Sequence, residues 1–273
     1  MSEKKDIKIM VAAHKPYRMP EDDIYYPVHV GAEGKESFGL PGDNTGDNIS
    51  VKNPNYCELT GLYWMWKNVP SDYLGLVHYR RHFVTGRGRD KWAKVASRKD
   101  VVKKTKEKWD GVAGRKDIEE KLEQAPVIMP PKRNYYIETT YNQYAHAHHA
   151  IDLDTTKEIL QERYPEYVKA FDENMAKTAG HKFNMFIMRR DLADAYCEWL
   201  FDILFELERR LDISEYSAND SRVFGFVSER LIDTWLDTNQ VEYTEMSVEF
   251  MEDQNWLTKG GNFLKRKFVG KKE

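Results

Sequence analysis

The segment "GLVHYRRHF" (75–83) places cationic and titratable side chains directly after an apolar run. His78, Tyr79, Arg80 and Arg81 follow one another at its centre. The planar guanidinium of arginine binds phosphate oxygens in pairs and keeps its charge at every physiological pH. Fixed cations stabilise the negative charge that develops on a departing nucleoside diphosphate. The pattern therefore predicts a diphosphate site, and the alternative is a pair of ion-paired surface arginines.

Two predicted strands position this cluster. "IKIMVAAHK" (7–15) and "DYLGLV" (72–77) are apolar runs of strand length, and "NPNYCELTGLYWMWKN" (53–68) between them predicts a helix after a mainly loop region (16–47). Strand, helix and strand in this order favour a Rossmann-like α/β unit, whose ligands bind beyond the carboxyl ends of the strands. The residues that end the first strand are therefore predicted to contact the nucleotide, with a solvated loop as the alternative: Ala13, His14 and Lys15.

Further candidates lie on the loop and on the helix that face the same crevice. Asp47 and Asn48 close a glycine-rich loop and could contact uracil or ribose. Asn53, Tyr56 and Glu58 lie in the first turns of the helix. Asn53 could instead be only a helix cap, and Glu58 only a first-turn carboxylate that the helix dipole favours.

"HAHHAIDLD" (146–154) is the densest histidine segment. His146, His149 and Asp152 recur at i, i+3 and i+6, and His148 and Asp152 at i and i+4. Imidazole and carboxylate groups are zinc ligands, but no HExxH signature accompanies them, so no metal site is predicted. We expect His149 and Asp152 to bind ligand hydroxyls, and the alternative is a set of histidines on a partly buried helix.

A general base is expected among the carboxylates, because a reaction at a hydroxyl group needs a carboxylate within hydrogen-bond reach of it. Glu229, in "FGFVSERL" (224–231), is the first candidate and Asp152 the second. Arg230 is expected to contact the ligand, although a Glu229–Arg230 ion pair that only stabilises the fold is the alternative. Asn184, in "KFNMFIM", is expected to contact the ligand.

The composition of the chain limits its class. The 273 residues include 41% hydrophobic and 13% aromatic residues, and 42 Lys and Arg against 45 Asp and Glu give a net charge of −3. A nucleic-acid-binding protein would be more basic. Cys57 and Cys197 form no CxxC pair, which suits a reducing cytoplasm. No apolar run is long enough to span a bilayer. We expect one domain over residues 1–273, located in the cytoplasm or peripherally on the inner face of the membrane.

Two segments are strongly basic. Residues 86–116 carry twelve Lys and Arg against four Asp and Glu and predict a helical surface insertion. Residues 259–273 carry six Lys and Arg against one Glu. Each could be an ordinary solvated surface or could contact an anionic membrane, where each cation contributes about 1 kcal/mol.

The remainder of the chain alternates between the two element types. Strands are predicted at 125–131 and 182–191, and helices at 142–171, interrupted at Pro165, and at 192–211. Residues 221–239 begin as a loop and continue as a helix. The alternation predicts an α/β fold with a central, mostly parallel sheet flanked by helices.

Five of these segments together resemble a known family: "GDNISVKNPNYCELTGLYWMWKN", "YLGLVHYRRHF", "FNMFIMRRD", "YCEWLF" and "RVFGFVSERL". The resemblance is to bacterial capsular and exopolysaccharide biosynthesis proteins that share domain of unknown function 4422 (DUF4422). It covers nearly the whole chain and implies a GT-A-like, Rossmann-related fold. It also implies transfer of a hexose, galactose or galactofuranose, from a UDP-sugar to a lipid-linked glycan. In such a transfer His149 and Asp152 would bind sugar or acceptor hydroxyls, Asn184 would contact the donor sugar, and an inverting reaction would need the carboxylate base at the acceptor hydroxyl.

One motif departs from the wider GT-A pattern. Many GT-A enzymes carry Asp-x-Asp after this strand to hold a divalent cation, whereas this chain carries "HYRR" (78–81). Histidine and arginine cannot replace the hard oxygen ligands of Mg²⁺, so we expect transfer without a metal cofactor. A phosphoryl or nucleotidyl transferase is less favoured because the chain lacks a GxxxxGK[ST] loop. A non-catalytic nucleotide-sugar-binding regulator of polysaccharide assembly is the alternative outside the enzymes.

Overall fold

A computed structural model describes residues 4–85, 106–134 and 137–252. In these residues, an eight-stranded sheet has the order β2-β1-β3-β8-β5-β9, and β4 and β10 extend it at the carboxyl end of β3. Strands β6 and β7 form a separate two-stranded ladder. The strands are β1 Ile7–Ala13, β2 Tyr25–His29, β3 Tyr73–His78, β4 Arg81–Phe83, β5 Val127–Met129, β6 Arg133–Asn134, β7 Ala179–Gly180, β8 Phe186–Arg189, β9 Thr244–Glu245 and β10 Val248–Phe250.

Helices pack against this sheet. Short 3-10 turns precede or connect several of them, at Ser50–Lys52, Pro165–Tyr167 and Asp220–Arg222. The helices are α1 Asn53–Tyr56, α2 Leu59–Asn68, α3 Arg115–Leu122, α4 Thr140–Ala147, α5 Ala150–Arg163, α6 Val168–Ala176, α7 Arg190–Arg210 and α8 Val223–Thr238. Residues 106–110 are also helical.

Strand β1 is hydrophobic except for the partly buried Lys8, because both of its faces are covered. Met10 packs in one buried cluster with α2, α7 and α8, while Ile9 and Val11 pack in the other cluster on the opposite face of the sheet. Strand β1 pairs in parallel with β2 on one side and β3 on the other. The register places Ala12 opposite His78, so β1 and β3 end at the same edge of the sheet.

The predicted α/β class is confirmed: the sheet is flanked by helices and is mostly parallel in strand direction. Strands β4 and β8 run against the other six in the described sheet, since both are antiparallel to β3. The predicted strands at 7–15, 72–77, 125–131 and 182–191 all contain observed strands.

Other element predictions need correction. The single helix predicted at 53–68 is two helices separated at Cys57, whose φ is 54°. The region predicted as mainly loop contains β2, whose parallel pairing with β1 comes from tertiary contacts. The helix predicted at 142–171 also ends at Ala147 and begins again at Ala150.

The basic segments are only partly covered by these observations. Residues 86–105 of the predicted insertion, and all of the tail 259–273, lie outside the described residues. The predicted membrane contact therefore stays a prediction. Across residues 4–85, 106–134 and 137–252, none of the helices has the length and apolar character needed to cross a bilayer.

Candidate functional site

The ends of β1 and β3 bring two sequence-predicted groups together. The ring centroids of His14 and His78 lie 6.4 Å apart, and the Tyr79 hydroxyl is 3.4 Å from Nε2 of His14. The ammonium of Lys15 lies 5.6 Å from the centroid of the Tyr79 ring. Ala13 and Tyr79 are buried, so among these residues the exposed side chains at the edge are those of His14 and Lys15.

The two strand-tip arginines have different surroundings. Nη1 of Arg80 forms an ion pair with Glu252 at 3.3 Å. The Arg81 guanidinium lies 4.4 Å from the Phe183 ring centroid and 5.9 Å from that of Phe250. Within the described residues, its side chain has neither a hydrogen bond nor an ion pair. Arg81 therefore keeps its five N–H donors for an external anion.

His78 contributes a hydrogen bond rather than charge. Burial, followed by the charges of Arg81 and Arg80, lowers the pKa of His78 to about 2. Its Nδ1 accepts the backbone N–H of Arg80 at 3.3 Å, which leaves the proton on Nε2. His78 is therefore neutral, and the arginines alone carry the positive charge of the "HYRR" segment.

The break between α1 and α2 places Glu58 at this edge. Cys57 adopts φ 54° and ψ −130°, a backbone conformation that costs a non-glycine residue about 1–3 kcal/mol. Gly225 of α8 allows the close approach, because a Cβ there would lie 3.2 Å from the Cys57 sulfur. Asn184 donates its amide to Glu58 Oε1 at 3.0 Å and to the Gly225 carbonyl at 3.1 Å. The predicted Asn184 thus connects Glu58 to α8.

Glu229 is a second carboxylate beside Arg81. Its side chain is 19% exposed, and its Oε2 accepts Nη1 of Arg230 at 2.7 Å. Burial raises the pKa of Glu229, and the negative charge of Glu58 adds to the rise, although Arg230 and Arg81 oppose it. The predicted ion pair is therefore present. Since Oε1 accepts no hydrogen bond from the described residues, Glu229 can also accept a proton from a ligand hydroxyl.

Arg230 is held from several sides. Its guanidinium is buried and donates to Glu229, to the Phe226 carbonyl at 2.9 Å and to Gln143 Oε1 at 3.2 Å. It also lies 5.1 Å from the centroid of the Tyr144 ring. These contacts make Arg230 a positioning partner of Glu229 rather than an open ligand contact.

Arg222 belongs to the site although the sequence analysis did not select it. Its Nε donates to the Cys57 sulfur at 3.2 Å, and its guanidinium lies 5.1 Å from the centroid of the Phe226 ring. Its charge acts on both His14 and Glu229, so it faces the same edge. It forms no ion pair with a carboxylate among the residues that the structure describes. The available signal was its place directly before α8, in "RVFGFVSERL".

We use the term strand-tip site for the residues at this edge that face one another. Its cations face two carboxylates, those of Glu58 and Glu229, and Asn184 donates a hydrogen bond to Glu58. The site comprises His14, Glu58, His78, Arg81, Asn184, Arg222 and Glu229.

Asp152 is not available as a base. It is 1% exposed, and its two oxygens accept the hydroxyl of Tyr144 at 2.8 Å and that of Tyr216 at 2.6 Å. Burial raises its pKa, and the two tyrosine hydrogen bonds oppose the rise. The proposal of Asp152 as second candidate base is corrected, because both oxygens already have internal donors.

The three histidines of segment 146–154 all contact carboxylates, and His148 shares Asp220 with His149, whose Nε2 lies 3.8 Å from Oδ2 of Asp220. His146 pairs with Glu138 at 3.1 Å and His148 with Asp220 at 3.1 Å. His149 stacks on Tyr216, with ring centroids 4.1 Å apart. The described residues contain no group of three or more His, Cys, Asp or Glu arranged to hold a metal. Contact between His149 and a sugar stays a prediction.

Asp47 and Asn48 lie away from the strand-tip site. Asp47 accepts the Tyr63 hydroxyl at 3.1 Å, and its carbonyl accepts the side-chain amide of Asn68, the last residue of α2. A ten-residue helix is about 15 Å long, and Glu58 lies at its other end. Asn48 forms only local turn contacts. The predicted contact of both residues with uracil or ribose stays a prediction.

Asn53 and Tyr56 have structural roles. Asn53 is the first residue of α1, not its cap, and its amide donates to the Cys57 carbonyl at 2.7 Å. Tyr56 is fully buried, and its hydroxyl donates to the Leu204 carbonyl at 3.2 Å. Their predicted ligand contacts are corrected: Asn53 supports the Cys57 break and Tyr56 belongs to the core.

Comparisons with known proteins agree with this geometry. The family model described as a domain of unknown function (DUF4422) matches residues 8–240. A solved apo structure of the bifunctional glycosyltransferase WbbM is 31% identical, with a TM-score of 0.80. The match covers 91% of this chain and 46% of that one, so this chain spans about half the length of that structure. The fold is GT-A-like. No curated protein matches the chain at a significant level.

Proposed function

Because the chain belongs to the DUF4422 family, we propose that it is a glycosyltransferase that transfers a hexose from a UDP-sugar to a glycan acceptor. The observation that carries this proposal is the strand-tip site itself. Two guanidiniums without carboxylate partners in the described structure, Arg81 and Arg222, share one edge of the sheet with Glu58 and Glu229. The likeness to one half of a bifunctional glycosyltransferase supports the same reaction class.

The donor diphosphate is proposed to bind at the carboxyl ends of β1 and β3, where α/β folds bind ligands. Arg81 approaches it from the β3–β4 connection, and Arg222 from the turn before α8. The Nε2–H of His78 supplies a neutral donor. His14 and Lys15 line the β1 side, where burial, Arg80 and Lys15 lower the pKa of His14 and favour its neutral form.

The reaction breaks the bond between the anomeric carbon and the β-phosphate oxygen and forms a bond from that carbon to the acceptor oxygen. The released UDP takes the electron pair of the broken bond, and its added negative charge is stabilised by Arg81 and Arg222. The acceptor hydroxyl gives its proton to Oε1 of Glu229. The raised pKa of Glu229 suits this step, because a base that is too acidic accepts a proton poorly.

The proposal includes transfer without a divalent cation, because arginines occupy the position of the carboxylates that would ligate one. It also includes a galactose or galactofuranose donor and a lipid-linked acceptor, as the family resemblance implies. The strand-tip site supports binding of a diphosphate. The donor panel below identifies the hexose.

The test is UDP release by the purified chain from a panel of UDP-hexoses, with and without a glycan acceptor and with and without EDTA. We expect acceptor-dependent UDP release that EDTA does not reduce. Loss of turnover in EDTA and recovery with Mn²⁺ would contradict the metal-free mechanism alone. UDP binding without turnover on any donor would instead indicate a nucleotide-sugar-binding regulator.

A further inference from the structure

A second group of cations lies next to the strand-tip site, around the ring of Phe183. The Arg81 guanidinium is 4.4 Å from the centroid of this ring, and that of Arg133 is 5.2 Å from it. Arg133, like Arg81, has no side-chain hydrogen bond or ion pair in the described part of the chain. Two neighbouring guanidiniums repel each other, and a bound anion between them would remove that cost.

Lys182 adds a third cation on the same side. Arg133 of β6 is paired with Gly180 of β7, and directly opposed residues of an antiparallel ladder point to the same face. A Cβ on Gly180 would lie 3.0 Å from the Lys182 ammonium and 2.8 Å from Oδ2 of Asp233. The ammonium therefore lies on the same face of the β6–β7 ladder as the Arg133 side chain. The absence of a side chain at Gly180 leaves room for it.

The Lys182 ammonium is poorly compensated for a buried charge. The residue is 5% exposed, and the ammonium donates to the neutral hydroxyl of Thr140 at 2.7 Å. Burial, followed by the charge of Arg230, lowers the pKa of Lys182 to about 8. Asp233 is a nearby carboxylate, but it accepts both the backbone and the ring N–H of His181. Lys182 forms no ion pair in the described structure.

We propose that Arg133 and Lys182 form a second anion site, which binds a phosphate or diphosphate ester carried by the acceptor. The assignment to the acceptor rests on the proposed function, in which the UDP diphosphate occupies Arg81 and Arg222. Arg81 lies between the two sites and is adjacent to Glu229, so the acceptor phosphate would bind close to the base. Phosphate esters are the expected ligand class, because guanidinium and ammonium donors together match their oxygens.

The experiment is calorimetric titration of the full chain, saturated with UDP, with decyl diphosphate, and in a second arm with inorganic pyrophosphate. Saturation with UDP removes the donor site from the measurement. We expect decyl diphosphate to bind, and Arg133→Ala and Lys182→Met each to weaken this binding at least about tenfold while UDP affinity stays unchanged. Arg189→Ala is the matched control, since Arg189 is exposed and paired with Asp191.

The outcomes separate this proposal from the function above. Full competition between UDP and decyl diphosphate, or equal decyl diphosphate affinity in wild type and Arg133→Ala, would overturn the second site. Equal affinity for inorganic pyrophosphate would overturn its assignment to an ester. Absence of UDP binding would contradict the proposed function only. Decyl diphosphate binding and its dependence on Arg133 can still be measured in that case, without UDP. Arg133 lies on a partly exposed ladder, so this variant keeps the test valid if Lys182→Met does not fold.

Discussion

The strand-tip site and the histidine segment 146–154 contain similar residue types but compensate their charges differently. Around Asp152, each carboxylate oxygen accepts a tyrosine hydroxyl, and His146 and His148 each contact a carboxylate. At the strand tip, Arg81 and Arg222 have no carboxylate partner in the described residues.

This difference separates structure from function. A buried polar group that is fully paired stabilises the fold, whereas an unpaired one costs free energy unless a ligand completes it. In the sequence, both regions show the same high density of titratable residues. Only the pairing of those residues distinguishes a site from a structural network.

The largest expected effect is on Glu229. Glu229→Gln keeps the shape of the side chain but removes the base, so kcat for acceptor-dependent UDP release should fall by about 10³-fold. The KM for the donor should change little. Glu208→Gln is the control, because Glu208 is also paired with a cation, Lys52, away from the site. A kcat for Glu229→Gln close to that of the control would leave the Glu229–Arg230 pair as purely structural.

Arg81 and Arg80 allow a direct comparison of unpaired and paired charge. Arg81→Ala should reduce kcat by about 10²-fold, because the leaving diphosphate loses a cation that forms no direct ion pair in the described residues. Arg80→Ala should have the smaller effect, since Glu252 already neutralises much of that charge. Steady-state kinetics of both variants check the order. The reverse order would mean that the ion pair with Glu252 opens when the donor binds.

Asp152 should affect stability instead of catalysis. Asp152→Asn weakens two hydrogen bonds to a buried carboxylate, and the free energy of unfolding should decrease by about 2 kcal/mol. Urea denaturation measures this loss. The kcat per folded molecule should stay near the wild-type value, and a large loss of kcat in a variant of normal stability would return Asp152 to the candidate bases.

The smallest expected effect is a shift of the pH profile, and this shift is specific to Glu229. Glu229 must be ionised to accept a proton, so kcat/KM for the acceptor should fall as the pH decreases through its raised pKa, above the ordinary value of 4.5. Because Arg81 lowers the pKa of Glu229, the acidic limb of Arg81→Ala should lie at higher pH than that of the wild type. Limbs at the same pH would show that another group titrates.

The sequence correctly predicted where part of the site lies in the fold. The apolar runs ending in His14 and in His78–Arg81 are buried strands that meet at one edge, and Glu58, Asn184 and Glu229 face that edge. Periodicity is enough for this, because strands buried on both faces are continuous apolar runs. It was not enough for Tyr56 and Asp152, which contact Leu204 and Tyr216, 148 and 64 positions away. It was also not enough for Asp47 and Asn53, whose nearer partners Tyr63 and Cys57 depend on the local path of the backbone.

The sequence by itself determined the α/β class, the two strands of the site and the cationic chemistry at their ends, because these depend on local runs of residue types. Tertiary structure alone decided which charges are compensated. The Arg80–Glu252 pair, the hydrogen bond from Tyr216 to Asp152, and the contacts of Cys57 with Gly225 and Arg222 join residues that are 64 to 172 positions apart. Such contacts follow from packing, which a local pattern does not contain.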